Sequence, residues 1–140
     1  MSKDLQKIDK FLKEHHVLSL ATSDGVELSS CNLFYTFDKD SISFIVASSD
    51  DTGHIKNIQK NNQVSGTVVL ETKIVGKIKG VQFRGDFITL TDKSLAKLYF
   101  KTFPYALAMN PKLWQIKVNY FKMTDNTLGF GKKIIWDSSL

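Results

Sequence analysis

The chain has 140 residues, of which 42% are hydrophobic and 24% are charged, and it carries a net charge of +5. This length and composition are typical of one globular domain and exclude extensive disorder, so we expect a single domain over residues 1–140. The positive charge does not indicate a nucleic-acid partner, because the lysines are spread along the chain and Arg84 is the only arginine. Nucleic-acid surfaces usually cluster both residue types.

Cysteine content, hydropathy and histidine content bear on location and metal binding. The one cysteine, Cys31, cannot form an internal disulfide, which suits a reducing compartment. No apolar run approaches the ~20 residues that cross a bilayer, and the polar start of the chain is unlike a signal peptide. We therefore expect a cytoplasmic protein without a membrane partner. His15 and His16 are adjacent at the predicted end of a helix, where they favour the helix dipole, and His54 and Cys31 are distant in sequence, so we expect no metal site.

The first predicted element is an amphipathic helix over residues 2–15. Leu5, Ile8 and Leu12 recur at steps of three and four residues, which is the spacing of one helix face. Ser2 stands just before this pattern and is a typical helix-capping residue.

Two strands follow, over residues 17–22 and 27–37, and the hairpin turn Ser23–Gly25 joins them. Side chains alternate along a strand, so the second strand has an apolar face and a mixed face. The apolar face contains Cys31, Leu33, Tyr35 and Phe37, and the mixed face contains Ser30, Asn32, Phe34 and Thr36. The mixed face suits stacking and hydrogen bonding rather than charge pairing.

A strand over residues 41–47 runs into the polar turn Ser48–Asp51, and a short helical segment begins near Thr52 before a strand over residues 64–69. Thr52 offers a hydroxyl, and His54 offers a protonatable donor two residues later. Free N–H groups and the helix dipole attract an anion at such a point. The arrangement indicates a phosphate site and, between two barrel strands, a bound flavin mononucleotide (FMN). Two other interpretations remain open: Thr52 only caps the helix, and His54 is a solvated side chain.

The second half of the chain completes the pattern. It contains a turn at residues 73–77, a strand over 79–90, a helix over 92–103, a further helical turn over 105–110, and strands over 113–123 and 132–136. Gly80 and Gly85 indicate bulges or a close approach of two backbones in the first of these strands. The chain is therefore predicted to be mainly β, a closed antiparallel barrel of six or seven strands with an N-terminal helix and one or two further short helices.

Four segments carry a family likeness: Cys31–Asp38, Ile58–Val64, Gly80–Gly85 and Thr124–Lys133. They resemble the flavin-binding split barrels related to pyridoxamine 5'-phosphate oxidase, and more closely a small bacterial branch of that group. The resemblance covers nearly the whole chain. It implies a split barrel that binds FMN and forms a homodimer around a two-fold axis.

The resemblance also implies cofactor-binding roles for nine residues. They are Ser30, Asn32, Ala47, Ser48, Thr52, His54, Gln82, Asn126 and Lys132. Thr52 and His54 match the residues that hold the flavin phosphate, and Gly53 stands where the oxidases carry a second basic residue. Gly80 matches a flavin-contacting glutamine, so Gln82, two residues on and on the same strand face, is expected to take over that role.

The other matched positions are expected to surround the flavin ring. Ser30 and Asn32 match residues that line the isoalloxazine, and Ala47–Ser48 matches its backbone contacts. By the same resemblance, residues near Asn126 and Lys132 close the site from the partner subunit.

These features predict an FMN-dependent oxidoreductase that takes electrons from a nicotinamide donor and acts on a small uncharged or planar acceptor. No side chain stands out as a catalytic acid or base, which fits chemistry carried by the cofactor. Arg84 shares a strand face with Asp86 and is expected to pair with a neighbouring carboxylate. Without a free arginine to hold a vitamin phosphate, oxidation of pyridoxamine phosphate is not expected.

The alternative function is a non-catalytic flavin or haem carrier, or a basic β-barrel binding module. Barrels that bind oligonucleotides stack the bases on exposed aromatic rings. Six phenylalanines in this chain alternate with polar residues and are instead expected in the core: Phe34, Phe37, Phe44, Phe83, Phe87 and Phe121.

The last part of the chain is rich in apolar residues. Leu128, Phe130, Ile134, Ile135 and Trp136 fall in one short stretch, more than one strand face can bury. We expect this surplus to form a subunit contact, with packing on the first helix as the alternative.

Overall fold

The computed structural model describes residues 2–139 as seven strands, four α-helices and two short 3₁₀ turns. The strands are β1 (Val17–Ser23), β2 (Leu28–Asp38), β3 (Ser43–Ala47), β4 (Gln63–Val69), β5 (Lys79–Thr89), β6 (Leu113–Asp125) and β7 (Lys133–Asp137). The helices are α1 (Lys3–Lys13), α2 (Gly53–Lys60), α3 (Lys93–Thr102) and α4 (Pro104–Met109), and the 3₁₀ turns are Val75–Lys77 and Asn126–Leu128. Within residues 2–139, no helix has the length and apolar character needed to span a membrane.

All seven strands belong to one antiparallel sheet with the order β3-β2-β1-β4-β5-β6-β7. The sheet closes because β3 also pairs with β6, so six strands form a barrel and β7 is added outside the closure. The predicted mainly β antiparallel barrel with an N-terminal helix is therefore confirmed.

The long strand β6 makes the closure possible because different parts of it pair with different strands. Its first part, from Leu113 to Lys117, pairs with β3, and its second part, from Tyr120 to Thr124, pairs with β7. Both parts pair with β5 on the other side. One strand thus connects the closed end of the barrel to the added strand.

The predicted bulge at Gly85 is confirmed. The pairing of β5 with β6 shifts register between Arg84 and Gly85, which leaves Asn119 without a partner in this ladder. A Cβ atom at Gly85 would overlap the carbonyl oxygen of Lys117. Glycine is therefore required here for close approach of two backbones. The Gly80 position shows no register shift, and a Cβ atom there would lie 3.4 Å from the Val68 carbonyl oxygen, which is an ordinary contact. Neither the bulge nor the close approach predicted at Gly80 is found.

The predicted third strand begins later than expected, at Ser43 rather than Ser41. The Asp38 carboxylate accepts hydrogen bonds from the Ser41 N–H at 2.9 Å and from the Ser41 hydroxyl at 2.6 Å. These bonds extend the turn, and Ile42 adopts a φ of 51° within it. The local side-chain bonds compete with the sheet ladder at this point.

The barrel interior is filled by apolar side chains, and α1 packs against it. The Ser2 hydroxyl caps α1 as predicted by accepting the Leu5 N–H at 3.1 Å. Leu5, Ile8, Phe11 and Leu12 are buried on its inner face. The helix is tied to β2 because the Tyr35 hydroxyl donates to the Leu12 carbonyl at 2.6 Å.

Five of the six phenylalanines expected in the core are buried, and the sixth expectation is wrong. Phe34 is 61% exposed. It lies on the mixed face of β2, which points away from the barrel interior, and its ring packs against Phe103 with centroids 5.6 Å apart. Strand alternation therefore overrides the general tendency of phenylalanine to be buried.

Substitution of Gly85 tests the bulge. We expect Gly85→Ala to lower the free energy of unfolding by roughly 1–3 kcal/mol, because the methyl group must displace the Lys117 backbone. Gly76→Ala is the matched control, since its Cβ meets no atom within 4 Å; its effect should stay within about 0.5 kcal/mol. Urea unfolding measures both variants, and equal effects of the two would contradict the close approach at Gly85.

Candidate functional site

The outward side chains of six strands form two adjacent rows across the barrel. In the first row the consecutive cross-strand neighbours are Asn32, Ser19, Thr67, Gln82, Lys122 and Ile135. In the second row they are Ser30, Ala21, Ser65, Arg84, Tyr120 and Asp137. The outer face of the barrel is therefore largely polar, with two cations and several hydroxyl groups.

A groove of about 530 Å³ lies on this face, and we call it the outer-face groove. Its lining contains the outward residues Ser19, Ala21, Ser30, Ser65, Thr67, Gln82, Arg84, Tyr120 and Lys122, together with the backbone between them. The structure thus brings together two predicted site residues from different strands, Ser30 and Gln82. Asn32 lies in the same row as Gln82, and its side-chain oxygen accepts a hydrogen bond from the Ser19 hydroxyl at 2.9 Å.

The predicted ion pair of Arg84 is wrong. Within residues 2–139, no carboxylate lies within 4.0 Å of its guanidinium. The guanidinium instead lies over the Tyr120 ring, 4.1 Å from the centroid. The bulge separates Arg84 from Asp86 along the ladder, and Tyr120 stands directly opposite Arg84. The guanidinium therefore forms a cation–π interaction with Tyr120 in place of the predicted ion pair.

A second cluster lies where β3 leads into α2, and we call it the α2 cluster: Ser48, Thr52 and His54. The Ser48 hydroxyl is 2.5 Å from the His54 Nε2 atom, and the Thr52 hydroxyl is 3.3 Å from the same nitrogen. Thr52 also donates to the Ser49 carbonyl at 2.9 Å. All three side chains of the cluster are half-buried. The structure thus brings together the two predicted phosphate ligands and Ser48.

Thr52 occupies the N-cap position of α2, but its side chain makes no capping hydrogen bond. The interpretation that Thr52 only caps the helix is therefore not supported. The N–H groups of the first turn are left without a side-chain acceptor, and such groups are available to an anion.

Neighbouring elements hold α2 in place. Its Ile55 and Ile58 side chains are buried under the barrel. The side-chain amide of Asn57 donates to the Thr22 hydroxyl on β1 at 3.0 Å. The beginning of the helix is therefore fixed relative to the strands.

Residues just before and at the beginning of β6 bond both backbone groups of Ser48. Its N–H donates to the Lys112 carbonyl at 3.1 Å, and its own carbonyl accepts from the Trp114 indole at 3.0 Å. The Lys112 ammonium lies 2.9 Å from Asp50 and over the Trp114 ring. The turn that carries Ser48 is thus arranged before any ligand binds.

Burial lowers the pKa of His54 from its ordinary value. The imidazole is therefore mainly neutral at neutral pH, and the α2 cluster offers hydroxyl, imidazole and backbone donors rather than a permanent charge. Within residues 2–139, no group of three histidine, cysteine or acidic side chains is placed to hold a metal ion.

Phe34 and Ala47 lie beside the Tyr35–Val46 pair at one end of the β2–β3 ladder. The Phe34 ring packs on Phe103, and Ala47 packs against the small buried cluster that α3 contributes to. The predicted site residue Ala47 is therefore next to Ser48 in the chain, but its side chain is not part of the α2 cluster.

The two remaining predicted residues lie apart from both regions. Asn126 donates to the Val75 carbonyl at 2.9 Å and accepts the Gly131 N–H at 2.9 Å, so both ends of its amide organise the loop before β7. Lys132 is an exposed residue of the same loop. Neither residue lines the groove, and their role in a partner's site stays a prediction.

Sequence reasoning did not identify several residues of the outer face, among them Ser19, Thr67, Tyr120 and Lys122. The alternation of polar and apolar residues in β1, β4 and β6 is the signal that places them outward. Their grouping with Gln82 and Arg84 requires the register between strands, which alternation does not provide.

Solved structures share this fold at low sequence identity. A haem-binding protein from Mycobacterium smegmatis has a TM-score of 0.79 at 13% identity, over 99% of this chain and 60% of its own. An FAD-binding protein from Mesorhizobium loti has a TM-score of 0.71 at 17% identity, over 88% and 94%. The haem storage protein HutZ from Vibrio cholerae has a TM-score of 0.68 at 16% identity, over 81% and 88%.

Sequence relatives cover almost the whole chain. No protein-family model matches it. A UPF0306 protein from Photorhabdus laumondii is 40% identical over 138 residues, 96% of each chain. A UPF0306 protein from Cronobacter sakazakii is 38% identical over 135 residues, 94% of each chain. By this similarity the chain belongs to the UPF0306 family.

Proposed function

We propose that this protein binds FMN and uses it as an oxidoreductase, with a nicotinamide as electron donor and a small molecule as acceptor. The observation that carries the proposal is the α2 cluster, where two hydroxyls and an imidazole converge at a helix start that has no side-chain cap. The fold that the chain shares with an FAD-binding protein and with haem-binding proteins supports a cofactor of this kind.

The donors of the α2 cluster fit a phosphate. The Ser48 and Thr52 hydroxyls and the His54 imidazole each carry one proton that can be donated. In the structure Thr52 donates to the Ser49 carbonyl, and Ser48 pairs with His54, so a phosphate would replace these local partners. The N–H groups of the first turn of α2, which have no side-chain cap, add further donors. The positive end of the helix dipole favours the negative charge. The pairing of Ser48 with Lys112 and Trp114 reduces the ordering that phosphate binding requires.

The mixed face of β2 fits a planar ring system. Phe34 offers an exposed aromatic surface, while Ser30 and Asn32 offer hydrogen-bonding groups and no charge. Gln82 adds an exposed amide from β5. When bound, a flavin supplies hydride exchange at its N5 atom, and these side chains position the ring.

A double substitution tests the phosphate site. We expect Thr52→Ala with His54→Ala to weaken FMN binding by about 2–4 kcal/mol, since each charge-assisted hydrogen bond that is lost costs about 1.5–3 kcal/mol. Riboflavin lacks the phosphate and should bind the variant and the unchanged protein almost equally. Quenching of flavin fluorescence measures both affinities.

A gain of affinity serves as the reciprocal control. A Cβ atom at Gly53 meets no atom within 4 Å, so a lysine has room at this position. Gly53→Lys should tighten FMN binding and leave riboflavin binding unchanged. If riboflavin weakens as much as FMN in the double variant, the cluster supports the fold rather than a phosphate.

We also propose that the protein acts as a homodimer through the side of the barrel formed by β7. Ile134 is buried, and the Trp136 ring packs on Phe121 with centroids 6.0 Å apart, so these two residues of the apolar segment belong to the subunit's own core. Leu128, Phe130 and Ile135 are the exposed members. Only these three are free to contact a second copy.

Ile135 is the sharpest test of the dimer, since it is 52% exposed and stands in the first row of the outer face. We expect Ile135→Lys to shift the mass measured by light scattering from dimer to monomer, because a charge enters an apolar contact. Met109→Lys on α4, where Met109 is 81% exposed, is the matched control and should leave the mass unchanged. A monomeric mass for the unchanged protein would reject the dimer.

The reaction itself is tested by anaerobic mixing of the FMN-loaded protein with NADH or NADPH. We expect at least one nicotinamide to bleach the oxidised-flavin absorbance, since the proposed ring site is open to a second planar molecule. Failure of both donors, together with tight haem binding seen as a Soret band, would favour the haem carrier instead. Bleaching by pyridoxine phosphate alone would contradict the proposed donor.

A further inference from the structure

We propose that the outer-face groove binds a small planar carboxylate, with Arg84 and Lys122 contacting its anionic group. The identity of this ligand as the acceptor of the flavin reaction rests on the proposed function. Its binding does not, because the contacts to its anionic group come from Arg84 and Lys122, which the proposed function does not use. The proposal narrows the expectation of a small uncharged or planar acceptor to a planar ligand that carries a negative charge, because Arg84 forms no salt bridge with a neighbouring acid.

The groove contains two cations and no acid among its lining residues. Arg84 rests on the Tyr120 ring, which holds the guanidinium at the groove without neutralising its charge. Lys122 follows on the same strand, two positions from Tyr120, and pairs with Gln82 across the ladder. Two like charges in one groove create a positive potential that attracts an anion.

The acids nearest in the ladder form no salt bridge with Arg84. Hydrogen bonds from Ser139 and, to a smaller extent, the charge of Arg84 lower the pKa of the Asp137 carboxyl. Asp137 stands beside Tyr120 in the second row, but its carboxylate accepts the Ser139 N–H at 2.9 Å and the Ser139 hydroxyl at 2.7 Å. Asp86 lies beyond the bulge, opposite Gln63 and Lys117. Arg84 therefore keeps its hydrogen-bond donors for a ligand.

Neutral polar groups surround the two cations. Ser65 and Thr67 on β4 and Gln82 on β5 point outward into the groove. None of the hydrogen bonds formed between side chains within residues 2–139 engages these three. They are suited to orient a ligand whose charge is held by Arg84.

The shape and charge of the groove favour a small molecule over a second copy of the chain. Its volume of about 530 Å³ falls within the range of about 300–1,000 Å³ that is usual for small-ligand sites. A two-fold axis through the groove would bring the Arg84 side chains of two copies together, and facing like charges oppose association.

The choice of a planar carboxylate follows from the donors and from the sheet. The guanidinium has a planar fork of N–H groups that matches the two oxygens of a carboxylate. The groove lies across adjacent strands of a sheet face and is lined by the outward side chains of two rows. A flat ring with one carboxylate satisfies both features.

The test uses benzoate as the probe and benzamide as its uncharged analogue. Each compound is titrated into the purified full chain, and calorimetry measures its affinity. We expect benzoate to bind more tightly than benzamide. Arg84→Gln should weaken benzoate binding about tenfold, as expected for loss of one charge-assisted contact, and Lys122→Gln about threefold. Arg84→Lys should recover part of the affinity, and Lys133→Gln, an exposed lysine outside the groove, should change nothing.

Three outcomes overturn the proposal. Equal affinities for benzoate and benzamide mean that the groove does not distinguish a charged ligand from an uncharged one. Inorganic phosphate binding more tightly than benzoate, with the same loss in Arg84→Gln, means that the anion is not a carboxylate. Conversion of a dimer to a monomer by Arg84→Gln means that the arginine pairs with an acid of a second copy.

The two proposals fail independently. Benzoate affinity is measured before and after FMN is added, and FMN affinity is measured separately with the α2 cluster variants. Loss of FMN binding with benzoate binding intact overturns the proposed function and leaves the groove assignment standing. Intact FMN binding with no benzoate binding overturns only the groove assignment.

Discussion

The hydrogen bonds between β3 and β6 close the sheet, and the position of the α2 cluster depends on them. Because β3 pairs with the first part of β6, the chain leaves the barrel at Ser48 beside Lys112 and Trp114. These two residues bond both backbone groups of Ser48. In an open sheet the turn would lack both partners, and the hydroxyl of Ser48 would not be held next to the imidazole of His54.

The second part of β6 contributes two lining residues to the outer-face groove. Tyr120 stands opposite Arg84 and supports its guanidinium, and Lys122 adds the second cation. The bulge at Asn119 separates this part of the strand from the part that pairs with β3. A bulge increases the local twist of a strand. One strand therefore closes the barrel, anchors the α2 cluster and lines the groove, which couples the geometry of the two regions.

Features that depend on neighbouring residues could be predicted from the sequence, whereas features that depend on strand register could not. Thr52 and His54 lie two positions apart, so a local pattern was sufficient to place them together at a helix start. Alternation along β2 was likewise sufficient to place Ser30 and Asn32 on one face.

The partner of the Arg84 side chain could not be predicted from a local sequence pattern. Its shared strand face with Asp86 suggested an ion pair, and that inference was reasonable for a regular strand. The competing partner, Tyr120, is distant in sequence and comes opposite Arg84 only because of the β5–β6 register and its bulge. A one-residue slip of that register would place a different side chain there and direct Tyr120 to the other face.

The two proposed anion sites differ in their physical basis. In the α2 cluster the donors are hydroxyls, backbone N–H groups and an imidazole whose pKa is lowered by burial, so binding depends on directed dipoles that are already in place. In the outer-face groove the attraction comes from the charges of Arg84, which is exposed, and Lys122, which is half-buried. Salt screens exposed charges strongly and fixed, half-buried dipoles much less.

This difference matches the proposed roles of the two ligands. A cofactor must remain bound through many reactions, and a preorganised set of donors holds it with little loss of entropy on binding. A reactant must arrive and leave in each reaction, and long-range attraction by exposed charges speeds its arrival without requiring tight binding. The arrangement of donors around the barrel therefore separates a site suited to retention from a site suited to exchange.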